Sequence, residues 1–73
     1  MSQKHRLAAL QLAIMQVLWE RGEATVGEVR DALQHDRPLA YTTVATMLSK
    51  LERDGRVTHR NVGRVLRYRA LLQ

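Results

Sequence analysis

The stretch Tyr41-Thr42-Thr43-Val44-Ala45-Thr46-Met47-Leu48-Ser49-Lys50-Leu51-Glu52-Arg53 constrains this chain more than any other. Val44, Met47, Leu48 and Leu51 fall at i, i+3, i+4 and i+7, the spacing of one buried helix face. At about 100° per residue, Thr42, Thr46, Ser49 and Arg53 project from the opposite side, with Thr43 and Lys50 on one flank. A helix with so thin an apolar stripe must lie on the edge of a core, with its hydroxyl face turned outward. Thr is a poor helix former, and an exposed face chosen for stability would carry Ala, Glu, Lys or Gln instead. Short hydroxyls can approach base edges closely, and the Thr methyl can touch a thymine methyl. Lys50 and Arg53 can reach phosphates. This is the chemistry of a recognition helix in a DNA major groove. The plainer reading is an amphipathic helix with a wet polar face.

The chain has 73 residues, enough for one small domain with a modest core. Its apolar share of 45% argues against disorder. Without Cys, neither a disulfide framework nor a thiolate metal site can reinforce that core. Lys4, His5 and Arg6 precede an apolar stretch, but Gln11, Gln16, Glu20 and Arg21 interrupt it at helical spacing, and no cleavage site follows. A cytoplasmic protein with no membrane span is expected. The net charge of +5 suits a polyanionic partner, though a solvated basic surface would give the same number. The distribution favours the partner: Arg53, Arg56, Arg60, Arg64, Arg67 and Arg69 crowd the last part of the chain against Asp54 alone.

The remaining punctuation sets the architecture. A first helix is expected from about Leu7 to Arg21, ended by Gly22. Leu7, Leu10, Ile14, Val17 and Leu18 form one stripe, and Ala8, Leu12, Met15 and Trp19 a second. A helix apolar on two sides is either central in the core or packed on another subunit, and Trp19 is expected in the core. Thr25-Val26-Gly27-Glu28 has the form of a capping box and opens a second helix with Val26, Val29, Ala32 and Leu33 inward. The lead-in Glu23-Ala24-Thr25 suits an extended segment. Pro38 closes the second helix, leaving a turn of only a few residues before the third, which Gly55 ends. Val57–Arg60 and Val65–Arg69 then alternate as two strands around an Asn61–Arg64 turn. The fold class is therefore mainly α with a small β-hairpin. It reads as a winged helix-turn-helix: three helices and a two- or three-stranded antiparallel wing sheet, in a single domain over residues 1–73.

Weighed residue by residue, Thr42, Thr43 and Thr46 are the candidates for base readout. Thr25, Tyr41, Ser49, Lys50, Arg53, Arg64 and Arg67 are the candidates for the DNA backbone. Thr25 is first a helix cap, whose helix start can also offer amides to a phosphate. For Tyr41, partial core packing and a phosphate contact are both open. Arg64 and Arg67 suit a wing on the backbone or minor groove better than Arg60 and Arg69 do. His5, His35 and His59 lack metal-ligand spacing, and no metal or other cofactor is expected. No activated nucleophile, Gly-rich phosphate loop or carboxylate pair is present, so an enzyme is not expected. The rivals are a winged-helix protein-interaction module that binds no DNA and a basic segment lying on an anionic membrane. Capped, glycine-terminated helices weigh against the membrane.

The assembled segments resemble the penicillinase and methicillin-resistance repressor family (BlaI/MecI-like, with the copper-responsive repressors). The resemblance is carried by Ile14-Met15-Gln16-Val17-Leu18-Trp19, by Thr25-Val26 with Val29, and by Ala40 to Leu48 with Leu51. Gly55-Arg56-Val57 and Val62-Gly63-Arg64 with Tyr68 complete it. It implies a repressor that binds a dyad-symmetric operator in double-stranded DNA as a dimer. By resemblance, Thr42, Thr43 and Thr46 face the groove, Lys50 meets the backbone, and Arg64 and Arg67 belong to the wing. Family members continue past the wing into a helical dimerisation region. That region is not expected here, which leaves either an excised DNA-binding domain or a short natural form. A homodimer, weak or dependent on DNA, would then rest on the first helix or on Leu71-Leu72. Induction by proteolysis or by metal, known in the family, finds no matching residues.

Overall fold

The computed structural model describes the backbone of residues 3–34 and 39–71, with side chains from Ala8 onward. Helix α1 (Gln3–Arg21) is followed by a short strand β1 (Ala24–Thr25), α2 (Val26–Leu33), α3 (Tyr41–Arg53), and the hairpin strands β2 (Val57–Val62) and β3 (Val65–Ala70). The sheet is antiparallel in the order β1-β3-β2. Three helices with a three-stranded wing sheet meet the winged-helix expectation.

One core joins all the layers. Ile14, Val17 and Leu18 of α1, Val26 and Val29 of α2, and Val44, Met47, Leu48 and Leu51 of α3 pack with Ala24, Val57 and Tyr68 of the sheet. The stripe read for α3 is therefore its buried face. Its sharp end follows from a Schellman arrangement, in which the Arg56 amide donates to the Leu51 carbonyl and the Gly55 amide to that of Glu52. This needs a positive φ at Gly55, which is +80°. At the start of α2 the capping box is complete. The Glu28 amide donates to Thr25 Oγ1 at 3.1 Å, and the Thr25 amide donates to Glu28 Oε1 at 3.0 Å. We expect Thr25→Ala to cost about 0.5–2 kcal/mol of stability, read by urea unfolding. A loss below the error of that measurement would show that Glu28 holds the helix start alone.

Two readings need correction. Trp19 is not in the core: it is 41% exposed, as is Leu12 at 51%. A domain this small has no further layer to cover the back of α1, so its second stripe faces outward. Met15, which lies between the stripes at about 100° from Ile14, alone of that set is buried. Ala8, Leu12, Trp19 and Arg56 instead line an open groove of about 470 Å³. Helix α2 stops at Leu33 and α3 opens at Tyr41, and the short turn read between them falls mostly on residues 35–38, outside the described ones. His35, Pro38 and Leu72, named in the sequence reading, lie outside the described residues. The wing is longer than read. Val62 pairs with Val65, which leaves Gly63-Arg64 as a two-residue turn. Gly63 has φ +64° while Arg64 does not have a positive φ, as in the II′ turns whose twist matches the strands they join.

Candidate nucleic-acid interface

Helix α3 presents the outward face expected of it. Thr42, Thr43 and Thr46 are exposed, as are Lys50 and Arg53 at the end of the helix. Cations are electrostatically favourable in that last turn because unpaired carbonyls collect there. Tyr41 is 52% exposed, so it does not pack in the core. The start of α3 differs from that of α2. Its N-cap is Ala40, which has no side-chain acceptor to offer the first-turn amides.

The wing lies along one flank of this helix. His59 Nδ1 of β2 sits 2.8 Å from both carboxylate oxygens of Glu52, and its ring is 5.4 Å from that of Tyr68. Burial and the nearby Glu52 charge push the Tyr68 hydroxyl above the ordinary phenol range, while a hydrogen bond with Ser49 opposes them. Ser49 is therefore turned toward the wing as well as outward. On the helical wheel, Glu52 and Ser49 lie on one side of the Thr42–Thr46 line, and Thr43 and Lys50 on the other. The exposed threonines thus have the wing to one side and Lys50 to the other.

The hairpin has two faces. The row Ala24–Tyr68–His59 turns inward and the next row, Thr25–Arg67–Arg60, turns outward. At the tip, exposed Arg64 stands among Val62, Val65 and Leu66, which are themselves 42%, 46% and 39% exposed. The sequence alone gives no sign of that apolar surface around the tip arginine, since it places Val62 in the turn and Val65 and Leu66 in a strand.

Two cations on the hairpin already have carboxylate partners. Arg60 makes a two-pronged contact with Glu23, from Nε to Oε2 at 2.7 Å and from the terminal nitrogen to Oε1 at 3.0 Å. Arg67 Nε reaches Glu23 Oε1 at 3.4 Å, and its terminal nitrogen lies 3.6 Å from Glu28 Oε1. Hydrogen bonding and charge from Arg60, then Arg67, hold the Glu23 carboxyl below its ordinary range. Thr25 sits beside this group with its hydroxyl oxygen and amide used in the cap. Glu23 carries no local sequence signal for this role. It is 37 and 44 residues from its partners, and only the pairing of β1 with β3 brings them together.

A family model described as penicillinase repressor matches residues 7–73. The chain belongs to the penicillinase repressor family. Two relatives, each named transcriptional regulator BlaI, come from Mycobacterium tuberculosis strains CDC 1551 / Oshkosh and ATCC 25618 / H37Rv. Each is 42% identical over 69 residues, covering 93% of this chain and 50% of the relative. The chain thus spans about half the length of these curated relatives. The solution structure of the DNA-binding domain of the repressor BlaI is similar with a TM-score of 0.78 at 28% identity, over 89% of this chain and 79% of that one. A structure of HOP2 is similar at 0.73 and 22% identity, over 84% of this chain and 97% of that one, which is a likeness of fold. Among the described residues, no helix is long and apolar enough to cross a membrane.

Proposed function

We propose that this chain is the sequence-specific DNA-binding domain of a cytoplasmic transcriptional repressor. Helix α3 enters the major groove of a dyad-symmetric operator, and the wing rests on the adjoining backbone. The observation that carries this reading is the exposed Thr42–Thr43–Thr46 face with the wing along its flank, in a chain of the penicillinase repressor family. Thr42, Thr43 and Thr46 read bases. Tyr41, Ser49, Lys50, Arg53 and Arg64 position the domain on the backbone. Thr25 and Arg67 join them through the donors that their internal partners leave over, the Thr25 hydroxyl hydrogen and the remaining guanidinium N–H groups. Two copies bind the two half-sites, associating weakly or only on DNA.

The test is a salt titration on random-sequence duplex, followed by selection of preferred sites. If the bound pair neutralises about six phosphates, the slope of log affinity against log salt is about −5. Binding that ignores salt, or no duplex binding, would remove the reading. Preferred sites without dyad symmetry would remove the paired copies. We expect Arg64→Ala to weaken binding to every sequence about equally and to flatten the slope by about 1 for each bound copy. An unchanged slope would take the wing tip out of the interface. The exposed Leu12 and Trp19 on α1 favour one second reading, a protein-docking module without DNA affinity. Salt-tolerant capture of a protein together with negligible duplex binding would establish it.

A further inference from the structure

Arg60 and Arg67 face each other directly across the hairpin, on the side of the sheet turned away from the core. Opposed like charges at that spacing destabilise a strand pair unless a counterion joins them. Glu23 supplies one. Its carboxylate lies 2.7 Å and 3.0 Å from Arg60 and 3.4 Å from Arg67. A guanidinium presents the same fork of donors to a carboxylate as to a phosphate. The hairpin arginines therefore divide into two classes: Arg60 and Arg67 are held internally, whereas no ion pair is found for Arg64 and Arg69 among the described residues.

We infer that Glu23 is a specificity-determining residue, whose carboxylate stands in for a DNA phosphate at Arg60 and withholds it from sequence-independent binding, while occupying only one of the Arg67 donors. The inference rests on the DNA-binding reading above. Sequence-independent affinity comes almost wholly from cations that displace counterions at phosphates, whereas the useful quantity is the ratio of preferred-site to random binding. Each guanidinium kept off the backbone lowers the random background without touching the threonines that read bases. Exposed ion pairs are weak in water, so Glu23 is a competitor rather than a lock.

The test uses the full chain and two duplexes, a selected site and a random sequence. Glu23→Gln keeps the shape and removes the charge. It is expected to raise random-duplex affinity about tenfold at about 0.1 M salt and to steepen the log–log slope by about 1 to 2, with a smaller gain on the selected site. Glu20→Gln makes the same change of formal charge outside the cluster and sets the baseline. A Glu23→Gln slope no steeper than that of Glu20→Gln overturns the inference. Arg60→Gln carries the test independently, even if Glu23→Gln lowers the melting temperature. In the otherwise unaltered chain it should shift the slope much less than Arg64→Ala does, and in the Glu23→Gln background it should remove part of the gain. An Arg60→Gln shift equal to that of Arg64→Ala would show that Arg60 already meets phosphate. If the unaltered chain binds no duplex, the functional reading falls and takes this inference with it. If it binds but the variants behave like their controls, only the role of Glu23 falls.

Discussion

Leu48→Ala should leave the domain largely unfolded well below the melting temperature of the unaltered chain. Leu48 is fully buried at the centre of the α3 stripe. Truncating such a residue loses the transfer free energy of the removed methyl groups and leaves a cavity, at about 2–5 kcal/mol together. A domain of 73 residues has a total stability of only roughly 4–11 kcal/mol. At about 4–8 °C per kcal/mol for this size, the melting temperature should fall by at least about 8 °C. Thermal unfolding followed by circular dichroism reads the change. Leu12→Ala is the comparison, since Leu12 is half exposed on α1, and it should stay within about 0.5 kcal/mol. A Leu48→Ala loss below about 1 kcal/mol would mean that the site collapses freely and that α3 is not held by this stripe. Duplex binding should fall with stability, because the core holds α3 against the sheet and α2.

Thr46→Ala should do the opposite, leaving the fold intact and damaging recognition. The side chain is exposed near the middle of the outward face, and Ala is the better helix former, so stability should hold or rise slightly. Affinity for the preferred site should drop by about 1–3 kcal/mol, with little change on random duplex. Competition binding against both duplexes at one salt concentration separates the two terms. Equal loss on both would show that Thr46 does not read bases. Thr42→Ala lies on the same outward line and should behave alike. Thr43, on the flank away from the wing, tests how far the groove contact extends.

Much of this interface was legible along the chain because its signals are local. The α3 stripe, the capping box at Thr25 and Glu28, and the stops at Gly22 and Gly55 each depend on residues within two turns of one another. Exposure of the threonines follows from the stripe opposite them. The errors came where periodicity states an apolar face but not what covers it. Trp19 and Leu12 repeat at helical spacing as well as Ile14 and Leu18 do, and nothing local distinguishes the covered side from the bare one. The wing is longer than its local signals state because Asn61 and Gly63 mark a turn around Val62, a strand former, and cross-strand pairing draws Asn61 and Val62 into the strand.

Taken alone, the order of residues determined the helices, their caps, the outward hydroxyl face and the basic hairpin, since each arises from contacts a few positions apart. Folding in three dimensions decided which side of α1 stays exposed, which flank of α3 receives the wing, and which arginines pair with carboxylates. Those outcomes turn on pairs such as Glu52 with His59 and Glu23 with Arg60. A charge is largely screened beyond about 8–10 Å at ordinary salt, so the partner of a charged side chain is set by where the sheet brings the strands, not by its neighbours in the chain.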